Sequence, residues 1–272
     1  MFYVVLLALL FGILEGITEW LPISSTGHII LLRHFLPVTY GDAFFELFEV
    51  VIQLGAVCAV VVLFFNTLFP FSPAKDKAER RRTWGLLGKL AVATLPSALV
   101  GLLLDDLIDE LLFNPLTVAI SLIVYGVLFL LVERIKKAPR RASVDELSLG
   151  DAVLIGCFQV LALVPGTSRS GATILGALLL GISRPTAALF SFFLGVPTML
   201  GAGGLKAAKL VLSGVVLTGA EWCTLLVGTL TAFLVSLVTL RFLVDFVRRH
   251  TFSAFGVYRI VLGVAVLLTL IM

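Results

Sequence analysis

Glu15-Gly16-Ile17-Thr18-Glu19-Trp20-Leu21-Pro22-Ile23-Ser24-Ser25-Thr26-Gly27-His28 interrupts an otherwise apolar run near the start of this 272-residue chain. A second stretch resembles it: Gln159 to Val164, then Pro165-Gly166-Thr167-Ser168-Arg169-Ser170-Gly171-Ala172-Thr173. Carboxylates, hydroxyls, an imidazole and a guanidinium are costly in apolar surroundings unless something pairs with them. Pro and Gly divide each region, about 1–36 and 148–181, into halves of about 15 residues, where a spanning helix takes about 20. A broken apolar region of that kind reads as a re-entrant helical hairpin, tolerated where its tip is buried in protein or lines a wet cavity.

The remaining sequence reads as six full spans, about 42–66, 85–104, 115–133, 184–205, 220–244 and 252–272. The composition agrees: 60% of residues are hydrophobic and 14% charged, with a mean hydropathy of +1.12, where a soluble domain carries roughly 25% charged residues. Met1–Leu10 lacks a basic flank and runs on to Glu15 and Glu19, so it reads as part of the mature protein. Cys58, Cys157 and Cys223 have no CxxC spacing and read as small buried hydrophobes. The net charge of +3 points to no particular partner, and no nucleic acid is expected.

The distribution of charge orients the spans. Lys75, Lys77, Arg80, Arg81 and Arg82 mark one cytoplasmic loop, and Arg134, Lys136, Lys137, Arg140 and Arg141 another. Asp105, Asp106, Asp109 and Glu110, with no base among them, mark an outer loop; Arg248, Arg249 and His250 mark an inner one. Lys206 and Lys209 fall outside and are a mild exception. On this walk 1–36 enters and leaves from the outer side and 148–181 from the inner side, each followed by three spans. Shifting the chain by 144 positions aligns Gly12, Ser24, Gly27, Ile30 and Leu31 with Gly156, Ser168, Gly171, Ile174 and Leu175, Glu15 with Gln159, and Thr26 with Ser170. The expected fold is therefore an all-α integral membrane protein, one membrane domain over 1–272, with six transmembrane helices plus two re-entrant helical hairpins. These form an inverted-topology repeat of about 1–133 and 148–272, with its special site where the broken helices meet.

Glu15 and Glu19 are four apart, so a helix puts both carboxylates on one face, where they repel unless a cation or Arg lies near. They read as holders of a divalent cation or as a general base; hard cations on phosphate substrates use one or two carboxylates plus phosphate oxygens. Ser24, Ser25, Thr26 and Gly27 follow the Pro22 break and read as a helix N-terminus, where free N–H groups and the positive dipole end attract an anion. The same hydroxyls also suit plain N-capping. His28 shares a face with Ser25 and can activate it or carry a proton. Arg169 offers a planar fork suited to phosphate, flanked by Ser168, Ser170 and Thr173 as phosphate donors or caps. Glu49 and Gln53, also four apart, are candidates to line the same cavity. Two tips meeting at one place would bring together the parts of a phosphoryl-transfer site, and membrane burial makes the rest of the substrate a lipid.

These residues also resemble a family. The two quoted motifs look like the signatures of bacterial undecaprenyl-diphosphate phosphatase, the bacitracin-resistance (BacA/UppP) family, and the resemblance extends over the whole chain. It implies hydrolysis of undecaprenyl pyrophosphate to undecaprenyl phosphate in the bacterial plasma (inner) membrane. It also implies recycling of the carrier lipid for cell-wall synthesis, bacitracin resistance, dependence on Mg2+ or Ca2+, and a site open to the outer face. A polyprenyl pyrophosphate and membrane lipids are the expected partners, and a homodimer is an open expectation. Glu15, Glu19, Ser25, His28 and Arg169 match the family's essential positions. The roles expected of them are a hypothesis added to that match: Arg169 would clamp the pyrophosphate, Ser25 would be the nucleophile with water attack left open, His28 would assist proton transfer, and Glu15 and Glu19 would hold the metal or orient His28 and Ser25. The competing reading is a transporter or flippase of a phosphorylated lipid or anion, since inverted repeats with paired hairpins also build carriers. A carrier needs an anion site but neither nucleophile nor base. A channel fits poorly, because paired Glu and Arg at its centre would trap ions.

Overall fold

In a computed structural model, which describes residues 2–36, 41–135, 138–212 and 217–270, Pro22 and Pro165-Gly166 do break their helices. α1 (Phe2–Thr18) gives way to a turn, and α2 (Ser25–Phe35) starts after it. α7 (Leu149–Val160) opens on a capping box of Ser148 and Asp151, passes into a 3-10 turn (Leu161–Leu163), and α8 (Arg169–Leu179) starts after the break. Between these units run α3 (Asp42–Leu63), the short α4 (Phe65–Leu68), α5 (Lys77–Leu112) and α6 (Pro115–Glu133). After them come α9 (Arg184–Leu212), α10 (Gly219–Arg249) and α11 (Ser253–Thr269). Among the described residues there is no β-strand, only an isolated bridge between Arg141 and Ile182.

Among the described residues five helices are long and apolar enough to cross a membrane, within α3, α5, α6, α9 and α10. α11, the expected sixth span, has 17 helical residues, and positions 271–272 of that span lie outside the described residues. Met1, Lys136 and Lys137 lie outside them too, as do the side chains of Asp105, Asp106, Asp109 and Lys209. Several charge clusters expected in loops are helical instead. Arg80, Arg81 and Arg82 belong to the first turns of α5, Glu110 to its last, and Arg248 and Arg249 to the end of α10. A helix satisfies its own backbone in water as in lipid, so charge marks where apolar surroundings end and not where the helix stops.

Packing depends on small residues at the crossings, as helices in lipid require. α1 lies along α10, and α6 along α11. A Cβ added at Gly12 would lie 2.6 Å from the Gly228 carbonyl oxygen, and one at Gly126 would lie 2.7 Å from that of Gly256. Gly126→Val is expected to cost about 1–3 kcal/mol by overpacking against rigid backbone, read as a lower thermal midpoint of the purified protein. Leu99, Leu102, Leu103, Leu226 and Val238 are exposed and form part of an apolar outer surface suited to lipid.

Gln159 is buried between the two helices that carry an internal proline. Its amide nitrogen donates to Ser97 Oγ (2.6 Å) and Thr198 Oγ1 (3.2 Å), each the residue after Pro96 or Pro197. Its counterpart 144 positions earlier, Glu15, has no such partners among the described residues.

Candidate functional site

The two breaks meet. Glu19, in the turn after α1, accepts at Oε1 from Arg169 Nη2 at 2.8 Å; Glu19 is buried, and 11% of the Arg169 side chain is exposed. Ser170 Oγ lies 3.1 Å from Glu19 O and 3.2 Å from Leu21 O, tying the second tip to the backbone of the first. Ser24 and Ser168 initiate α2 and α8 with equivalent caps, accepting from Gly27 N (3.5 Å) and Gly171 N (3.2 Å). Among the described residues they are the only non-glycine positions with positive φ, 71° and 69°. Backbone strain of this kind persists where surrounding structure over-determines it, and it concentrates at functional sites.

Arg169 is held on several sides. Nη1 donates to Ser191 O at 2.5 Å, Nη2 also approaches Met199 Sδ at 3.7 Å, and the guanidinium stands 5.6 Å from the Trp20 ring centroid. Gly195 makes room for it: a Cβ there would lie 2.6 Å from Nη2. Gly195→Ala is therefore expected to displace the guanidinium and reduce activity by about 10²-fold, since a shift near 1 Å in a positioning group has that effect. Turnover by a folded variant, with its thermal midpoint as control, checks this.

Six buried side-chain polar atoms lack a partner among the described residues, and four of them belong to Glu15 (both oxygens), Trp20 (Nε1) and Arg169 (Nε). Native interiors leave few such atoms, and each calls for a reason. Two donors and one carboxylate left open at the tips suit an anion accompanied by a cation. Glu15 also lies within electrostatic reach of Glu19, Glu49 and Arg169. No three His, Cys, Asp or Glu side chains among the described residues are grouped to hold a metal by themselves. Because Glu19 is engaged by Arg169, this donor set fits a hard cation only with Glu15 as its main protein ligand and phosphate oxygens completing the shell.

The expected site residues divide into two groups. Ser25 is the first residue of α2, half-buried, and its hydroxyl forms no hydrogen bond among the described residues. Thr26 beside it is also half-buried. By contrast, Ser168 Oγ and Ser170 Oγ lie 3.1 Å apart, and Thr173 Oγ1 lies 2.7 Å from Ser191 Oγ and 2.9 Å from Arg169 O, so these three are committed to holding the tip. Gly27 is buried against α6, where a Cβ would meet Leu122 Cδ1 at 2.9 Å; its smallness serves packing. Gln53 and Glu49 are half-buried on α3, and no hydrogen bond ties Gln53 to the tips among the described residues.

His28 is not paired with Ser25. Its Nδ1 lies 2.7 Å from Ser24 O and its Nε2 2.7 Å from Tyr258 Oη, with the two rings stacked. A carbonyl only accepts, so Nδ1 carries the hydrogen and Nε2 accepts from the Tyr258 hydroxyl. Tyr258 was not singled out by sequence, nor was its neighbour Arg259. Arg259 is fully buried, and donates to Pro22 O (3.1 Å), Gly166 O (2.9 Å) and Thr167 O (2.9 Å). A Tyr-Arg pair within the last apolar helix was the available signal, since an Arg inside a span is a functional candidate by default.

Comparison with known proteins adds a second line of observation. The bacitracin resistance protein BacA family matches residues 8–265. A protein of Acetivibrio thermocellus named undecaprenyl-diphosphatase is 52% identical over 263 residues, 96% of this chain and 96% of its own. One of Lactiplantibacillus plantarum with the same name is 51% identical over 262 residues, 96% and 95% of the two chains. Another of Streptococcus equi subsp. equi is 50% identical over 265 residues, 97% and 95%.

Proposed function

The chain belongs to the bacitracin resistance protein BacA family, and from that membership we propose a reaction for its two joined tips. The protein is a multi-pass membrane hydrolase that converts undecaprenyl diphosphate to undecaprenyl phosphate and inorganic phosphate. That activity recycles the carrier lipid for cell-wall synthesis and gives bacitracin resistance. The observation that carries the reading at the level of residues is the set of unpartnered buried atoms on Glu15, Trp20 and Arg169. A diphosphate accepts from the Arg169 and Trp20 donors, and a Mg2+ or Ca2+ ion on Glu15, beside Glu19, neutralises its charge when bound.

In this account Arg169 holds the diphosphate, and the N-termini of α2 and α8 point free N–H groups at it. Ser25 is the nucleophile, because among the serines of the tips it alone has a hydroxyl without a partner in the described residues. The Ser25 Oγ–P bond forms as the bond from the terminal phosphorus to the bridging oxygen breaks, and undecaprenyl phosphate leaves. His28, one turn along α2, takes the Ser25 proton on Nε2 as Tyr258 yields that lone pair. Water then attacks the phosphoserine; the His28 proton returns to Ser25 Oγ, and the water's proton ends on the released phosphate.

The protein sits in the bacterial plasma membrane with the site open to the outer face. α11 is the sixth span, and α1–α2 and α7–α8 are re-entrant hairpins of an inverted repeat, about 1–133 and 148–272. Two observations support this. Contacts occur in exchanged pairs: α1 on α10 is matched by α7 on α5, and α2 on α11 by α8 on α6. The strained Ser24 and Ser168 stand 144 positions apart.

Purified protein is expected to release inorganic phosphate from a long-chain prenyl diphosphate in the presence of Mg2+ or Ca2+. Ser25→Ala should lose about 10²-fold or more, and a quenched reaction should yield phosphoserine at Ser25. No release by the wild type turns the reading to a carrier of phosphorylated lipid. Near-normal Ser25→Ala turnover makes water the direct nucleophile.

A further inference from the structure

α11 carries Val257-Tyr258-Arg259, and α6, packed along it, carries Val124-Tyr125-Gly126. The two tyrosines serve opposite tips. Tyr258 bonds His28 on the first, and the Tyr125 hydroxyl lies within polar reach of the Thr167 side chain on the second. The third position breaks the likeness. Gly126 is small where α6 crosses α11, whereas Arg259 sends a long side chain between the tips and over the Tyr125 ring at 5.4 Å.

Arg259 has a particular set of partners. Nη1 serves the carbonyl of Pro22 on the first tip, and Nη2 serves those of Gly166 and Thr167 on the second. No carboxylate is ion-paired with it among the described residues, although it is fully buried. A buried charge held only by carbonyls at its two Nη groups, with Nε left without a partner among the described residues, is expensive compared with an apolar side chain of similar size. What the arginine supplies for that cost is a rigid fork whose two arms reach carbonyls on both breaks at once, which a single ammonium cannot reproduce.

We propose that Arg259 is a positioning residue for the diphosphatase reaction: its guanidinium fixes the separation of the two tips, and so sets Arg169 and Glu19 against Ser25. The proposal rests on the reading that both tips form one diphosphatase site. Ser170, whose hydroxyl bonds Glu19 O and Leu21 O, is the second tie between the same tips. Gly171 leaves room for the clamp, since a Cβ there would lie 3.0 Å from Arg259 Nη1.

The test uses the full chain in lipid nanodiscs, with release of phosphate from undecaprenyl diphosphate measured below each variant's unfolding midpoint. Arg259→Lys and Arg259→Gln are expected to lose about 10²-fold in kcat while KM moves by no more than about threefold, because tip register acts on alignment at the reacting atoms. Lys retains the charge and still fails. Gly171→Ala keeps the arginine but pushes its head, and is expected to lose about tenfold in kcat; it carries the test if the Arg259 variants do not fold. Combined with Ser170→Ala, the loss should fall short of the product of the single losses, since both ties serve one register. Wild-type kcat in folded Arg259→Lys or Gly171→Ala overturns the proposal, as do losses that multiply. A wild type that releases no phosphate overturns the diphosphatase reading itself, and with it this one.

Discussion

Arg169→Gln is expected to reduce kcat/KM for phosphate release by about 10³-fold or more, the upper range for loss of one pre-organised donor to a developing charge. The residue links everything at the tips. It is bonded to Glu19 of the other tip and to the Ser191 carbonyl, and its Nε–H, without a partner among the described residues, is the donor proposed for the diphosphate. Its removal takes away the clamp and leaves the buried Glu19 carboxylate without its cation. Arg169→Lys should recover little, because an ammonium cannot hold Glu19, Ser191 and substrate with one planar fork. Steady-state phosphate release by purified variants, with the fold checked by thermal unfolding, reads both. Arg169→Lys at near wild-type rates would remove the clamp from the account.

Glu15→Gln is expected to move activity and stability in opposite directions. Glu15 is fully buried, both of its oxygens lack partners among the described residues, and Glu19 and Glu49 add negative charge nearby. An amide of the same shape removes a costly buried group, so the thermal midpoint should hold or rise. Turnover should fall by about 10²–10³-fold, because the group that would hold the cation and balance the diphosphate is gone. A carboxylate kept for structure would give the reverse: a lower midpoint and little change in turnover. Gln159 supplies an internal comparison. At the matching position it already carries the amide, bonded to Ser97 and Thr198, and it belongs to a completed polar network.

The all-helical membrane class and the two helix breaks were legible in the sequence because the bilayer restricts what apolar segments can do. The breaks at Pro22 and Pro165-Gly166, and the likeness of segments 144 apart, located both tips. Element ends were less legible: Arg80 to Arg82, Glu110, Arg248 and Arg249 continue helices that charge alone had suggested were finished. Within the site, residue type pointed to Glu15, Glu19 and Arg169. Type could not separate Ser25, whose hydroxyl has no partner among the described residues, from Ser168, Ser170 and Thr173, which hold the tip, since all carry a hydroxyl and differ in their partners. Arg259 and Tyr258 escaped because their partners lie far away in sequence: Thr167, Gly166 and Pro22 are 92, 93 and 237 positions from Arg259, and His28 is 230 from Tyr258.

One catalytic centre made from both tips, with Glu19 from one and Arg169 from the other, predicts how the two residues combine in a double-mutant cycle: kcat/KM for undecaprenyl diphosphate in Glu19→Gln, Arg169→Gln and the combined variant. Residues acting as one unit are strongly non-additive, so the double variant should lie within a few fold of the worse single one. If the double variant instead loses the full product of the two single losses, Glu19 and Arg169 act independently, and the single shared centre is contradicted.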